Sequence, residues 1–190
     1  MAKKIKNTHG RWKDQVRNMA RLRLSGASGK VAINYAENSV TFSPSGTLGT
    51  LADMVGTNFE LEHGEYFGGG AYTNIHIHWW QPDVQSYQVS YRYRIQDNNT
   101  AKTTSWTNGT VTIGDNGAAD AFTHPDDGTV LNQISTLVSI DISSLSLSDT
   151  IQFQMTRTDA VAGDWDVYVL DRHWMDLSNG SDNEFSNDDF

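Results

Sequence analysis

The sequence contains no cysteine and only three prolines among its 190 residues. Without cysteine, neither a disulfide framework nor a thiolate metal site can form, so packing or assembly must stabilise the fold. No run approaches the roughly 18 continuous apolar residues that cross a membrane as a helix. The basic N-terminal segment, residues 1–6, lacks the apolar core of a secretory signal. These absences predict a protein that folds in the cytoplasm and has no membrane partner.

The net charge of −9 conceals a division of charge along the chain. Residues 1–30 carry a net charge of +8, whereas the remaining 160 residues sum to −17. A body of that charge is repelled by phosphate, which disfavours nucleic acid as a partner. We therefore expect the basic segment to bind an acidic neighbour such as a second copy, with a solvated tail as the simpler alternative. The residues expected to contact that partner are Lys3, Lys4, Lys6, Arg11, Trp12, Lys13, Arg17, Arg21 and Arg23.

Short runs of β-branched and aromatic residues, separated by Gly, Asn, Asp and Ser, predict strands throughout the central part of the chain. The predicted strands are residues 31–35, 39–42, 58–62, 73–80, 86–95, 104–113, 130–141, 150–158 and 164–175. None of the prolines falls inside them, and no βαβ pattern appears. We therefore predict an all-β fold, an antiparallel two-sheet sandwich that is jelly-roll-like.

The predicted domain organisation has three parts. A basic N-terminal arm covers residues 1–30, the β-sandwich covers residues 31–177, and an acidic flexible tail covers residues 178–190. Within the arm, apolar residues at helical spacing in residues 11–24 fit a short helix, and an extended strand fits them nearly as well.

The most distinctive segment is residues 73–80, Thr-Asn-Ile-His-Ile-His-Trp-Trp. In a strand, His76 and His78 point to one face, and the apolar residues between them point to the other. Two histidines at this spacing can bind one metal ion, with His173 or Asp171 as a third ligand. We favour a structural role for them, through hydrogen bonds across strands or aromatic packing, with no metal and no cofactor.

The same histidines also resemble the first motif of the cupins. Gly70, His76 and His78 have the spacing of that motif, and Asp83 stands near the position of its glutamate. The resemblance implies a metal-dependent enzyme, which is the alternative function that we keep. Nucleophilic catalysis has little support, because the chain has no cysteine and no Gly-x-Ser-x-Gly elbow.

Five segments, taken in order, resemble one group of tailed-bacteriophage virion proteins. These segments are residues 11–14, 74–79, 87–93, 149–155 and 166–174. The resemblance implies a jelly-roll-like structural component of the virion without enzymatic activity, which decorates the head, anchors a fibre or belongs to the tail. It also implies assembly in the host cytoplasm with other virion structural proteins. Symmetric particles favour ring-forming oligomers, so we expect a homo-oligomer, by analogy a trimer.

A carbohydrate-binding sandwich is a third hypothesis. Its basis is the set of tryptophans that can offer flat stacking surfaces to a sugar, namely Trp79, Trp80, Trp106, Trp165 and Trp174. Most tryptophans in folded proteins belong to cores or interfaces, so this hypothesis depends on which of the five are exposed.

Overall fold

The computed structural model consists of β-strands joined by turns and loops. It describes residues 11–19, 23–25, 31–44, 54–61, 71–83, 85–98, 100–114, 129–146 and 148–176. The strands are β1 (Arg11–Asn18), β2 (Arg23–Ser25), β3 (Val31–Asn34), β4 (Ser39–Phe42), β5 (Met54–Glu60), β6 (Tyr72–Gln81), β7 (Ser86–Gln96), β8 (Thr107–Gly114), β9 (Leu131–Asp141), β10 (Thr150–Arg157) and β11 (Trp165–Asp176). Within these ranges, no helix has the length and hydropathy that a membrane crossing requires.

The strands form two antiparallel sheets. The first has the order β3-β4-β11-β6-β9, with β1 also paired to β11, and the second has the order β2-β5-β10-β7-β8. The predicted all-β, antiparallel two-sheet sandwich is therefore confirmed. The order of each sheet is far from the order of the chain, so most neighbouring strands are distant in sequence.

The core between the two sheets is rich in aromatic rings. Trp165 stacks on Phe42 with 4.9 Å between ring centroids and meets the edge of Trp79 at 5.4 Å. Tyr87 completes this group, with its ring centroid 5.8 Å from that of Trp79. Trp79, Trp165 and Trp174 are buried, so these three tryptophans are not available to stack on a sugar.

The N-terminal segment contributes a strand to each sheet. β1 pairs with β11 along its whole length, from Arg11 opposite Asp176 to Asn18 opposite Val169. β2 pairs with β5 in the other sheet. Of the two conformations that the sequence allowed here, the described residues 11–18 and 23–25 form strands. Pairing with β11 and β5 stabilises them, whereas a short isolated helix is only marginally stable.

The residues expected to bind a partner are therefore divided. Arg11, Trp12, Lys13 and Arg17 lie in β1, and Arg23 lies in β2. Arg17 spans the two sheets, since its guanidinium lies 5.7 Å from the ring centroid of Phe59 in β5. Lys3, Lys4, Lys6 and Arg21, like the predicted tail 178–190, lie outside the described residues. The domain boundaries at residues 30 and 177 stay predictions.

Candidate functional site

Polar and titratable side chains meet where β6 and β11 run side by side in the first sheet. The register places His76 opposite Asp171 and His173 opposite Asn74. Ile75, Ile77 and Trp79 of β6 belong to the hydrophobic core. Because side chains alternate along a strand, the histidines of β6 lie on the face away from the core, as the sequence predicts.

Four of these side chains form what we call the His–Asp cluster: His76, His78, Asp171 and His173. The Oδ2 atom of Asp171 lies 3.1 Å from Nε2 of His78 and 2.9 Å from Nε2 of His173. The rings of His76 and His173 meet edge to face, with 4.2 Å between their centroids. His76, Asp171 and His173 each offer one potential ligand atom, and these three atoms lie within 4.8 Å of one another. Of the predicted metal ligands, His76, Asp171 and His173 are thus brought together, whereas His78, which was expected to share an ion with His76, is outside this group of three and contacts Asp171.

The cluster is largely closed to solvent although it faces away from the core. His76, Asp171 and His173 are 0%, 2% and 8% exposed, and the side chain of His78 is 24% exposed. Within the described part of the chain, the Oδ1 atom of Asp171 is buried and has no hydrogen-bond partner. A buried carboxylate oxygen in that state costs free energy unless a cation or a donor satisfies it.

The electrostatics of the cluster keep Asp171 ionised and His76 neutral. Burial by itself raises the pKa of Asp171, but the hydrogen bonds from His173 and His78, with their charges, outweigh it and lower that pKa to about 2. Burial and the neighbouring His173 together lower the pKa of His76 to about 4, against the opposing effect of Asp171. A deprotonated carboxylate and a neutral imidazole are the forms that bind metal ions.

The N-terminal strand adds a second carboxylate at the edge of the cluster. Asp14 of β1 lies opposite His173 in the register, and its Oδ1 atom is 3.3 Å from Nε2 of His173. The Asp14 side chain is 52% exposed, so this contact lies at the solvent boundary. Sequence reasoning missed Asp14 as a site residue. The sequence feature that could have identified it is that Asp14 is the single acid in residues 1–30, which contain nine bases.

The strand that carries His173 is held in place by its neighbours. The Thr73 hydroxyl donates a hydrogen bond to the backbone carbonyl of His173 at 2.6 Å. On the other side of β6, the Ser139 hydroxyl donates to the side-chain carbonyl of Asn74 at 2.6 Å. These contacts connect three adjacent strands, β9, β6 and β11, around the histidines.

The cupin-like spacing does not extend to the acidic residue of that motif. Asp83 accepts hydrogen bonds from the Tyr87 hydroxyl at 2.7 Å and from the backbone amide of Gln85 at 3.0 Å. It therefore organises the turn between β6 and β7 and is not part of the metal-competent group of side chains. Gly70 lies outside the described residues.

A second feature, which we call the acidic pocket, lies at the opposite end of β11. It has a volume of about 370 Å³. Its lining includes three carboxylates beside an aromatic ring, namely Glu37, Asp164, Asp166 and Trp80. Trp80 is held by a stacked Tyr168 at 4.9 Å, and Asp166 accepts hydrogen bonds from the hydroxyls of Ser39 and Thr41. Carboxylates around an aromatic face are the surroundings that suit a lysine or arginine side chain.

No family model matches the sequence, and no curated protein matches it. Among solved structures, the carbohydrate-binding module TmCBM61 in complex with beta-1,4-galactotriose is 13% identical, with a TM-score of 0.32 over 83% of this chain and 89% of that one. A CBM4 structure is 11% identical, with a TM-score of 0.36 over 82% and 84% of the two chains. The enzymatically active domain of Bacteriophage CBA120 tailspike protein 4 is 11% identical, with a TM-score of 0.29 over 90% of this chain and 21% of that one. All three TM-scores lie below 0.5, so these similarities support no conclusion about the family or the function of this chain.

Proposed function

We propose that the protein is a non-enzymatic structural component of a bacteriophage virion, as a capsid decoration, fibre-anchoring or tail-associated protein. It assembles with copies of itself and with other virion structural proteins through its basic N-terminal segment and its sheet surfaces. The observation that carries the proposal is the placement of opposite charges at opposite ends of β11. Arg11 and Lys13 of β1 pair with the C-terminal end of that strand, and the acidic pocket lies at its N-terminal end.

The length of β11 favours docking of the basic segment on another copy. Between Trp165, which lines the acidic pocket, and Asp176, which faces Arg11, the strand spans about 36 Å. Lys3 is eight residues before Arg11, so its backbone reaches at most about 29 Å from there. The lysines of a chain therefore approach its own acidic pocket only with the segment and the side chain fully extended, whereas those of a neighbouring copy have no such limit.

The edges of the sheets offer further assembly surfaces. β9 is one outer strand of the first sheet, and β8 is one outer strand of the second. Exposed apolar side chains lie on or beside β9, at Val130 and Ile134. An outer strand presents unpaired backbone donors and acceptors that a partner chain can cover, so these edges suit contacts with other virion proteins.

Charge reversal tests the basic segment without removing β1 or β2. The triple variant Lys3→Glu, Lys4→Glu, Lys6→Glu leaves both strands intact, and we expect it to lose the self-association of the wild type in sedimentation velocity at low salt. Adding Glu37→Lys and Asp164→Lys to the triple variant reverses the acidic pocket as well and should restore association. Asp166 is kept as it is because its hydrogen bonds with Ser39 and Thr41 stabilise the sandwich.

Each outcome bears on a different part of the proposal. Wild-type protein that stays monomeric at low salt, or a triple variant that associates as the wild type does, contradicts the role of the basic segment. Mass spectrometry of purified phage particles tests the virion assignment. If the protein is absent from the particles of the phage that encodes it, the virion assignment is wrong.

The alternative, a cupin-like metal-dependent enzyme, is motivated by the His–Asp cluster. Catalytic metal sites keep an open coordination position for substrate, whereas structural sites are closed. The near-complete burial of His76, Asp171 and His173 therefore favours a structural ion over a catalytic one.

A further inference from the structure

We propose that His76, Asp171 and His173 bind one divalent transition-metal ion that cross-links β6 to β11. The site goes beyond the virion role proposed above and does not depend on it. The two histidines and the carboxylate come from adjacent strands, so an ion bound by all three connects segments almost 100 residues apart in sequence.

The separations of the ligand atoms fit a single ion. In a tetrahedral zinc site with ligands at about 2.0–2.2 Å, ligand atoms lie roughly 3.4 Å from one another. Here the three candidate atoms lie within 4.8 Å of one another. Closing that gap takes side-chain movements of about 1 Å, which rotation about χ1 and χ2 supplies without a backbone change.

The state of Asp171 is the second, independent observation. Its Oδ2 atom lies within hydrogen-bond distance of Nε2 of His78 and of His173, whereas its buried Oδ1 atom has no partner in the described part of the chain. An ion bound through Nε2 of His173 displaces the proton of that nitrogen to solvent and replaces its hydrogen bond to Asp171. A cation near Oδ1 would neutralise a carboxylate that is 2% exposed. Buried charges in proteins are paired or coordinate metals, and this carboxylate lies beside two histidines with which it can coordinate one.

The surroundings would orient the ligands. His78 donates to Asp171 and fixes the rotation of its carboxylate. The Thr73 hydroxyl donates to the backbone carbonyl of His173 and fixes the position of that residue. Partners of this kind around metal ligands set their direction and strengthen binding.

The donor set selects the class of ion. Imidazole nitrogens with one carboxylate suit zinc and the neighbouring first-row ions, whereas magnesium and calcium prefer oxygen ligands alone. Zinc is the appropriate probe because it has no redox chemistry and tolerates three or four ligands. Excess magnesium serves as the matched hard cation.

The test uses the full chain, stripped with a chelator and dialysed against zinc chloride with excess magnesium. Plasma mass spectrometry should find one zinc per chain, and zinc should raise the thermal midpoint of unfolding. Cobalt in place of zinc provides a second readout on the wild type, because a tetrahedral site gives intense visible absorption that zinc then removes. Both readouts use the wild-type protein, so neither depends on whether a variant folds.

Variants locate the ion. Asp171→Asn and His173→Gln should abolish stoichiometric zinc, and His78→Gln should weaken binding about 10- to 100-fold by loosening Asp171. Asp149→Asn is the matched control, because Asp149 is also a buried carboxylate, and it accepts hydrogen bonds from the amides of Asn98 and Ser146. It should keep one zinc per chain.

A second control covers the other histidines. The triple variant His9→Gln, His63→Gln, His124→Gln removes every histidine outside the His–Asp cluster and should bind zinc as the wild type does. Wild-type protein without bound zinc, or zinc that follows these three histidines and ignores Asp171, would overturn the site. Because the virion role is tested by sedimentation and by particle composition, failure of one proposal leaves the other standing.

Discussion

Acidification of the metal-free protein should lower its stability, because His76 is buried in its neutral form. The perturbation is a change from about pH 7.5 to about pH 4 in the presence of a chelator, for the wild type and for His76→Gln. His76 is fully buried, and its ring faces His173, His78 and Asp171. Protonating it therefore places a charge in a closed site where two other imidazoles oppose the charge and only Asp171 favours it.

The sign and size of this change in stability follow from the pKa of His76. Burial and the neighbouring His173 lower the pKa of His76 from 6.5 to about 4. The folded state then prefers the neutral ring, so its contribution to stability is complete above pH 6.5 and is lost as the pH falls to about 4. This shift in pKa corresponds to a loss of about 3 kcal/mol in the free energy of unfolding.

The assay is urea unfolding followed by tryptophan fluorescence at several pH values in that range. The free energy of unfolding of the wild type should fall by about 3 kcal/mol more than that of His76→Gln. Any slope due to the three histidines outside the His–Asp cluster is common to both proteins and cancels in the difference. The lowered pKa of Asp171, about 2, puts its own loss of stability below pH 4, outside this window. Parallel curves for the two proteins would refute the reasoning.

Two further predictions concern the sandwich itself. Trp165→Ala removes a buried ring packed on Phe42 and Trp79 and should cost about 3–5 kcal/mol in urea unfolding. Two arginine guanidiniums lie 4.5 Å from the ring centroid of Trp106, and Trp106→Ala should cost about 1 kcal/mol. Equal losses of stability in Trp165→Ala and Trp106→Ala would contradict the assigned core. Gly114→Ala should destabilise more than Gly163→Ala, as thermal unfolding can check. Both glycines have φ near +90°, but only at Gly114 would the new Cβ lie 2.7 Å from a backbone carbonyl.

The local pattern of the sequence predicts most strands, because alternation of side chains is a local property. Residues 39–42 and 86–95 correspond closely to β4 and β7. β5 begins at Met54, four residues before the predicted strand, and the difference centres on Gly56. Glycine weakens a strand signal, yet here a Cβ would lie 2.8 Å from the Gln154 side chain on β10, so tertiary packing explains the glycine.

The candidate site was predictable only in part. His76 and His78 share a face by alternation alone, which needs no knowledge of the fold. Their meeting with Asp171 and His173 depends on β6 pairing with β11 in one register, and nothing local specifies a pairing between strands so far apart in the chain. The contact of Asp14 with His173 needs the pairing of β1 with β11 as well.

The position of Asp14 explains why a segment with so many bases keeps one acid. Residues 1–10 contain no acid, and they precede the point where β1 meets β11. Asp14 lies within the paired strand, where its carboxylate faces His173. A base at that position would lose the contact of the carboxylate with Nε2 of His173. The paired part of the segment is thus matched to the His–Asp cluster through Asp14.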